Sequence, residues 1–172
     1  MIIVADASPL IFLAKIGQLG LITRLFPGKH WVPQSVRMEV LTAPISPAEE
    51  LALQLFLKSC QIELVSKPRR YAAALSRADN EVLTLAIRRR AAFLLSDDRL
   101  LRQLAAVEGL RPMGTLGILL RAMEGGLLTR IQTRHWVEAL VQQHHFRISI
   151  EVYDATLQRI EQASKPARHH RP

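Results

Sequence analysis

Short apolar runs that alternate with helix-patterned segments constrain this chain more than any other feature. The β-like runs fall at 2–5, 30–32, 62–65, 92–95 and 110–113, and helical patterns lie at 8–26, 34–42, 47–59, 78–90 and 98–108. Apolar strands alternating with helices predict an α/β fold, a parallel sheet of about five strands covered by helices on both faces. Beyond 113 the pattern is helical only, at 115–124, 130–144 and 149–163. The expected organisation is an α/β domain over 1–125, a helical extension over 126–164 packed on it, and a basic tail over 165–172 that is expected to be disordered.

Several boundaries carry a mechanism. Ser8-Pro9 reads as an N-cap followed by proline at the first helical position. Pro33 and Ser35 introduce the helix that holds Glu39. Ser46-Pro47 precedes the segment 47–59, with Glu49 and Glu50 in the first turn, where the helix dipole favours acids. Ser76 and Asp79 have the spacing of a capping box. Gly125-Gly126 ends one helix, and Ser149 caps the last.

With 172 residues, 49% of them hydrophobic, the chain can bury one well-packed domain. No charge-free run reaches the roughly 18 residues needed to span a bilayer. The N-terminus opens directly on a strand-like run without the features of a secretory leader, so a soluble, cytoplasmic protein is expected. Cys60 is the sole cysteine, which excludes an intrachain disulfide and reads as a small buried hydrophobe. A net charge of +8 favours a polyanion, usually nucleic acid; an acidic protein partner fits the same charge. Aromatics make up only 5% of the chain, so base stacking is not expected to dominate binding.

Against this basic background the position of the acids is informative. In an open parallel sheet, ligands bind outside the carboxyl ends of the strands. Asp6 leaves the first run there, and Asp97 and Asp98 leave the run at 92–95. Carboxylates gathered at one edge repel and raise one another's pKa, a penalty that a bound cation removes. Each acid also has a structural reading. Asp6 can cap the helix that follows it, and Glu39 can be a solvated helix residue. Asp79 and Glu81 lie two apart and do not share a helix face, so one of them can serve the helix N-terminus alone. Of Asp97 and Asp98, one is expected at the site and the other as a cap; spacing does not choose between them.

Six segments together resemble the PIN-domain family, in the branch near VapC-type toxins. They are Val4-Ala5-Asp6-Ala7-Ser8-Pro9-Leu10-Ile11, Val32-Pro33-Gln34-Ser35-Val36-Arg37-Met38-Glu39-Val40, Ala78-Asp79-Asn80-Glu81-Val82-Leu83-Thr84-Leu85-Ala86, Leu94-Leu95-Ser96-Asp97-Asp98-Arg99-Leu100, Gly114-Thr115-Leu116-Gly117-Ile118-Leu119-Leu120 and Phe146-Arg147-Ile148-Ser149. The resemblance implies a metal-dependent endoribonuclease that holds Mg²⁺ or Mn²⁺ through Asp6, Glu39, Glu81 and Asp98, with Asp79 and Asp97 as second candidates. The ion activates a water for in-line attack on phosphorus. It further implies the toxin of a type II toxin–antitoxin pair, a small antitoxin protein covering the acidic site, RNA as substrate and a homodimer. Ser8 matches a hydroxyl often found near the first aspartate. Lys15, about two turns beyond Ser8, is a candidate contact to substrate phosphate.

Other constellations are weaker. The histidines form no ligand set, and neither a Ser/His/Asp arrangement nor a glycine-rich phosphate loop is present. Arg88-Arg89-Arg90 suits a helix C-terminus or RNA phosphate. A receiver-like domain would need an aspartate after the middle strand and a lysine after the last, and Glu63 and Arg111 supply neither. The alternative to an enzyme is a non-catalytic RNA- or protein-binding module of the same fold. Its partner face would be the apolar stripes Leu116, Leu119 and Leu120, then Val137, Leu140 and Val141, although core packing also explains those.

Overall fold

The structure is a computed structural model and describes residues 1–163; the tail expected at 165–172 lies outside them. The Cα framework separates into two compact units, one from Met1 to Thr115 and one beginning at Leu116. The second unit therefore begins ten residues earlier than the expected boundary.

The first unit is built on five parallel strands: β1 (Ile2–Ala5), β2 (Lys29–Pro33), β3 (Gln61–Glu63), β4 (Phe93–Leu95) and β5 (Arg111–Met113), in the order β3-β2-β1-β4-β5. β1 pairs with β2 in the register Val4–Trp31 and with β4 in the register Val4–Leu94. Ile3, Val4, Ala5 and all of β4 are buried. Successive strand residues point to opposite faces, so this continuous burial means the central strands are covered on both sides. The chain order reverses direction between β1 and β4, which makes their carboxyl ends the topological switch point where open α/β sheets bind ligands.

The helices of this unit are α1 (Ala7–Lys15), α2 (Gly20–Leu25), α3 (Gln34–Thr42), α4 (Pro47–Lys58), α5 (Arg77–Arg88) and α6 (Arg99–Val107). α1, α3 and α4 pack on one another, while α5 lies along β1, β2 and β4. Ser76 with Asp79 closes a capping box on α5, as their spacing predicts, and Ser46 with Glu49 closes one on α4, where the sequence is read only for the dipole.

Three local expectations change. The N-cap of α1 is Asp6, not Ser8: the Asp6 carboxylate accepts the Ala7 N–H at 2.7 Å. Pro9 thereby becomes the third helical residue, still in the first turn, where its missing N–H has no intrahelical partner to lose. The pattern at 8–26 is two helices. Gly17 takes a left-handed φ of 66° and its N–H donates to Ala14 O, while the Gln18 N–H donates to Leu13 O, which ends α1. Leu13, Ile16, Leu19, Leu21 and Ile22 are all buried, so the apolar pattern runs on through the break. Finally, α3 begins after Pro33 with no side-chain cap, because proline offers no polar side chain; Ser35 lies inside the helix and its hydroxyl donates to Glu81.

In the second unit, the chain beyond Thr115 continues α7 (Thr115–Glu124) and then forms α8 (Arg130–Gln142) and α9 (Ile150–Gln162). Gly125-Gly126 follows α7; Thr129 caps α8 through a capping box with Gln132, and Ser149 caps α9. α8 and α9 pack against each other. No helix among the described residues is long and apolar enough to cross a membrane.

α5 ends in a Schellman turn. The Arg90 N–H donates to Ile87 O and the Ala91 N–H to Ala86 O, with Arg90 at φ 51°. That left-handed position favours glycine, and the Arg90 side chain is exposed. Arg90→Gly should therefore stabilise the protein by about 0.5–1 kcal/mol, read as a higher urea midpoint at an unchanged m-value.

Candidate active site

Asp6 stands where β1 ends. Its backbone N–H donates to Leu95 O at 2.9 Å, which carries the β1–β4 pairing one residue further and fixes the direction of the side chain. Ser96 follows β4 and is fully buried. Its hydroxyl donates to Asp6 Oδ2 at 2.8 Å and accepts the Asp98 N–H at 3.1 Å. Asp6 is only 8% exposed. Burial pushes its carboxyl up to about 6; the hydrogen bonds from Ser96 and Ala7 oppose this, and the charges of Asp79 and Glu39 add to it.

Those two charges come from different helices. Glu39 lies at the surface of α3, and partial desolvation together with the Asp79 charge raises its carboxyl above the ordinary value. Asp79 is the third residue of α5. Its Oδ2 accepts the Ser76 N–H at 2.9 Å while its N–H donates to Ser76 Oγ at 3.0 Å. Asp79 is thus both the capping acid of α5 and the carboxylate that repels Asp6 and Glu39. The chain brings Asp6, Glu39 and Asp79 into electrostatic contact across β1, α3 and α5.

The remaining sequence candidates are placed differently. Glu81 is buried with both oxygens bonded: the Ser35 Oγ–H donates to Oε2 at 2.6 Å and the Arg77 Nε–H to Oε1 at 3.0 Å. Asp97 Oδ1 and Oδ2 each accept a hydrogen bond of 2.7 Å from Thr115, from its N–H and its hydroxyl. Burial raises the Asp97 carboxyl, and the Thr115 bonds offset part of that rise. Gly114 permits this clamp, because a Cβ there would stand 2.8 Å from Asp97 Oδ1. Asp98 is exposed and caps α6, accepting the Leu101 N–H at 2.6 Å. Among the described residues, no three His, Cys, Asp or Glu side chains are grouped closely enough to hold a metal ion as they stand. The donor chemistry nonetheless suits a hard divalent cation: the acids are all-oxygen ligands, and an ion beside Asp6 would favour its ionised form against the burial and, to a lesser degree, the neighbouring charges that raise its pKa.

The family model of the PIN domain matches residues 2–162. The chain belongs to the PIN-domain family. PIN domains are commonly nucleases and typically use divalent metals. Among solved structures, this PIN domain is similar to a PilT N-terminus domain protein from the hyperthermophilic archaeon Sulfolobus solfataricus P2, with a TM-score of 0.53 and 14% identity over 69% of this chain and 90% of that one. At that identity the likeness speaks for the fold alone. No curated protein matches the chain.

Three residues of this PIN domain that matter to the acidic edge were not candidates for the site in the sequence: Ser96, Arg77 and Ser35, the last read only as introducing α3. The hydroxyl that orients Asp6 is Ser96. Ser8, matched to that role, instead accepts the Asp97 N–H at 3.3 Å. The signal for Ser96 was its place directly between an apolar strand and Asp97. Lys15 sits in the last turn of α1 and reaches Pro44 O at 3.5 Å. Arg88 donates to the carbonyls of Ser66 and Lys67, and Arg89 pairs with Glu63 and lies 3.9 Å over the Trp31 ring, so both are tied internally. His30 is buried against Phe26 O, and burial pushes the Cys60 thiol up to about 12, far from a reactive thiolate.

The Asp6 environment predicts an unusual pH dependence. The folded protein holds this proton up to about pH 6, whereas the unfolded chain releases it near 3.8. The folded state thus binds more protons over that window, and stability falls as pH rises through it. Glu39 acts in the same direction. In chelator, urea titrations should show a loss of about 3 kcal/mol between pH 4 and pH 7 that Asp6→Asn largely removes.

Proposed function

We propose that this PIN domain is a metal-dependent endoribonuclease that hydrolyses RNA phosphodiester bonds at the carboxyl edge of β1 and β4. The observation that supports it most is Asp6, buried at the topological switch point within electrostatic reach of two other carboxylates in a chain of net charge +8. Folding gains nothing from that repulsion, and a basic surface attracts the polyanion that would be cut.

Asp6, Glu39 and Asp79 would hold Mg²⁺ or Mn²⁺, with Asp98 as a fourth carboxylate. When bound, such an ion supplies neutralising charge and Lewis-acid polarisation at the phosphate. The rest is done by the chain. Ser96 fixes the Asp6 carboxylate, and the Ser76 N–H fixes Asp79. Glu39, at the surface and with a raised pKa, would use the carboxylate oxygen not turned to the ion to accept a proton from the attacking water as the water oxygen bonds to phosphorus; the bond to the leaving ribose oxygen breaks, and that oxygen takes a proton from solvent. Glu81, family-implied as a ligand, is already satisfied by Ser35 and Arg77, and we assign it a supporting role.

The setting we propose is the cytoplasmic toxin of a type II toxin–antitoxin pair. A small antitoxin protein would cover the acidic edge, and the toxin would act as a homodimer. What supports this is the motif resemblance to VapC-type toxins. The internal bonding of Glu81 and Asp97 favours the second reading, a non-catalytic module that binds RNA or protein.

Purified protein with Mn²⁺ should cleave single-stranded RNA, and Asp6→Asn should slow cleavage by at least about a hundredfold. Asp79→Asn, which keeps a capping residue, should do nearly the same. Equal rates for the parent and Asp6→Asn would reject the enzyme reading. Calorimetry separates the binding module, for which Mn²⁺ affinity should be unmoved by either substitution.

A further inference from the structure

We infer that Arg77 is the phosphate-binding arm of the acidic site, and that Glu81 and Ser35 form the bracket that aims it. This rests on the ribonuclease reading above and assigns Glu81 to the substrate strand in place of the metal.

Helix stability does not explain Arg77. It is the first residue of α5, where the helix dipole disfavours a cation. It precedes its partner Glu81 by four residues, the less favourable order for an acid–base pair on a helix. Its side chain is 81% exposed while that of Glu81 is 7% exposed. A carboxylate buried to this degree is costly to desolvate, and its exposed partner returns little in stability. The pair therefore asks for a role outside folding.

The geometry supplies one. Glu81 is held on both oxygens, by Ser35 at 2.6 Å and by Arg77 Nε at 3.0 Å. Arg77 uses only Nε in this contact, so the edge of the guanidinium formed by Nη1 and Nη2 is left for a second, bidentate partner. A phosphodiester presents the matching pair of oxygens. The position also fits. Ser35, which bonds Glu81, stands one helical turn before Glu39 on α3, so the bracket meets the face of α3 that carries this acid. The bracket thus spans the two helices that carry the acids. A strand approaching Asp6, Glu39 and Asp79 meets repulsion, and a guanidinium held at the rim with its free edge outward offsets it.

Anisotropy with a fluorescein-labelled 12-nucleotide single-stranded RNA of mixed sequence tests this in EDTA, where cleavage cannot consume the probe. Arg77→Gln, an exposed change that leaves the fold intact, should weaken binding by about fivefold to tenfold at 0.1 M KCl and reduce the slope of log K against log salt by about 0.7. Arg77→Lys should restore the slope but only part of the affinity, because an ammonium lacks the fork. Glu81→Gln should weaken binding about twofold to threefold with the slope unchanged, the mark of a residue that positions a charge without supplying one. Unaltered affinity and slope in Arg77→Gln would overturn the assignment, while cleavage by the parent protein with Mn²⁺ would leave the ribonuclease reading standing. If the parent protein binds no RNA and cleaves none, the assignment falls with that reading.

Discussion

The hydrogen bond between Ser96 and Asp6 joins the ends of β1 and β4, and the arrangement of the acidic edge follows from it. A carboxylate this deeply buried would rotate toward water if nothing held it. The Ser96 hydroxyl and the Ala7 N–H hold it in place, and the same hydroxyl accepts the Asp98 N–H and so sets where α6 begins. One side chain thereby couples the orientation of Asp6 to the path of the chain after β4. The position of Asp6 then decides which helix residues can come near it: Glu39 from α3 and Asp79 from α5.

The sheet was legible because parallel strands covered on both faces are apolar throughout, and the runs at Ile2–Ala5 and Phe93–Leu95 carry that mark. Where apolarity continued for other reasons the reading ran on too far. Leu64 and Val65 extend the run after β3, yet Leu64 is 76% exposed and the strand ends at Glu63. At Gly17 the reverse happened: a backbone conformation broke a helix whose burial pattern was continuous. Local apolarity reports burial, and strand and helix ends are set by hydrogen bonds that it does not encode.

The acids show a further limit. Spacing states that Asp79 and Glu81 face different ways, but not which way each faces, because the rotation of α5 is fixed by its packing against β1, β2 and β4. Every residue from Asn80 to Ala86 is buried, so α5 is enclosed and its polar residues are sorted by available partners. Asn80 binds the Tyr71 N–H and the Ser76 carbonyl, Glu81 turns to Ser35, and Asp79 remains at the helix start facing the other carboxylates. The sequence reading could name the candidate residues, whereas their partners exist only once α3 and α5 are packed together.

In the sequence Asp6, Asp79 and one of Asp97 and Asp98 read equally as helix caps, and the fold shows why capping and a place at the acidic edge coincide. In a parallel sheet a helix that follows a strand starts from the carboxyl edge, so helix N-termini collect where ligands bind. Asp6 caps α1, Asp98 caps α6 and Asp79 closes the box on α5. A cap uses one oxygen of the carboxylate and fixes its rotamer; at Asp6 the second oxygen is fixed as well, by the Ser96 hydroxyl. The positive ends of those helices partly offset the gathered negative charge. At Asp6 burial outweighs them, with the Asp79 and Glu39 charges adding to it, and the proton is held to about pH 6. The shortfall is the physical reason to expect a cation there: the helix ends orient the carboxylates, and a divalent ion would supply the charge they lack.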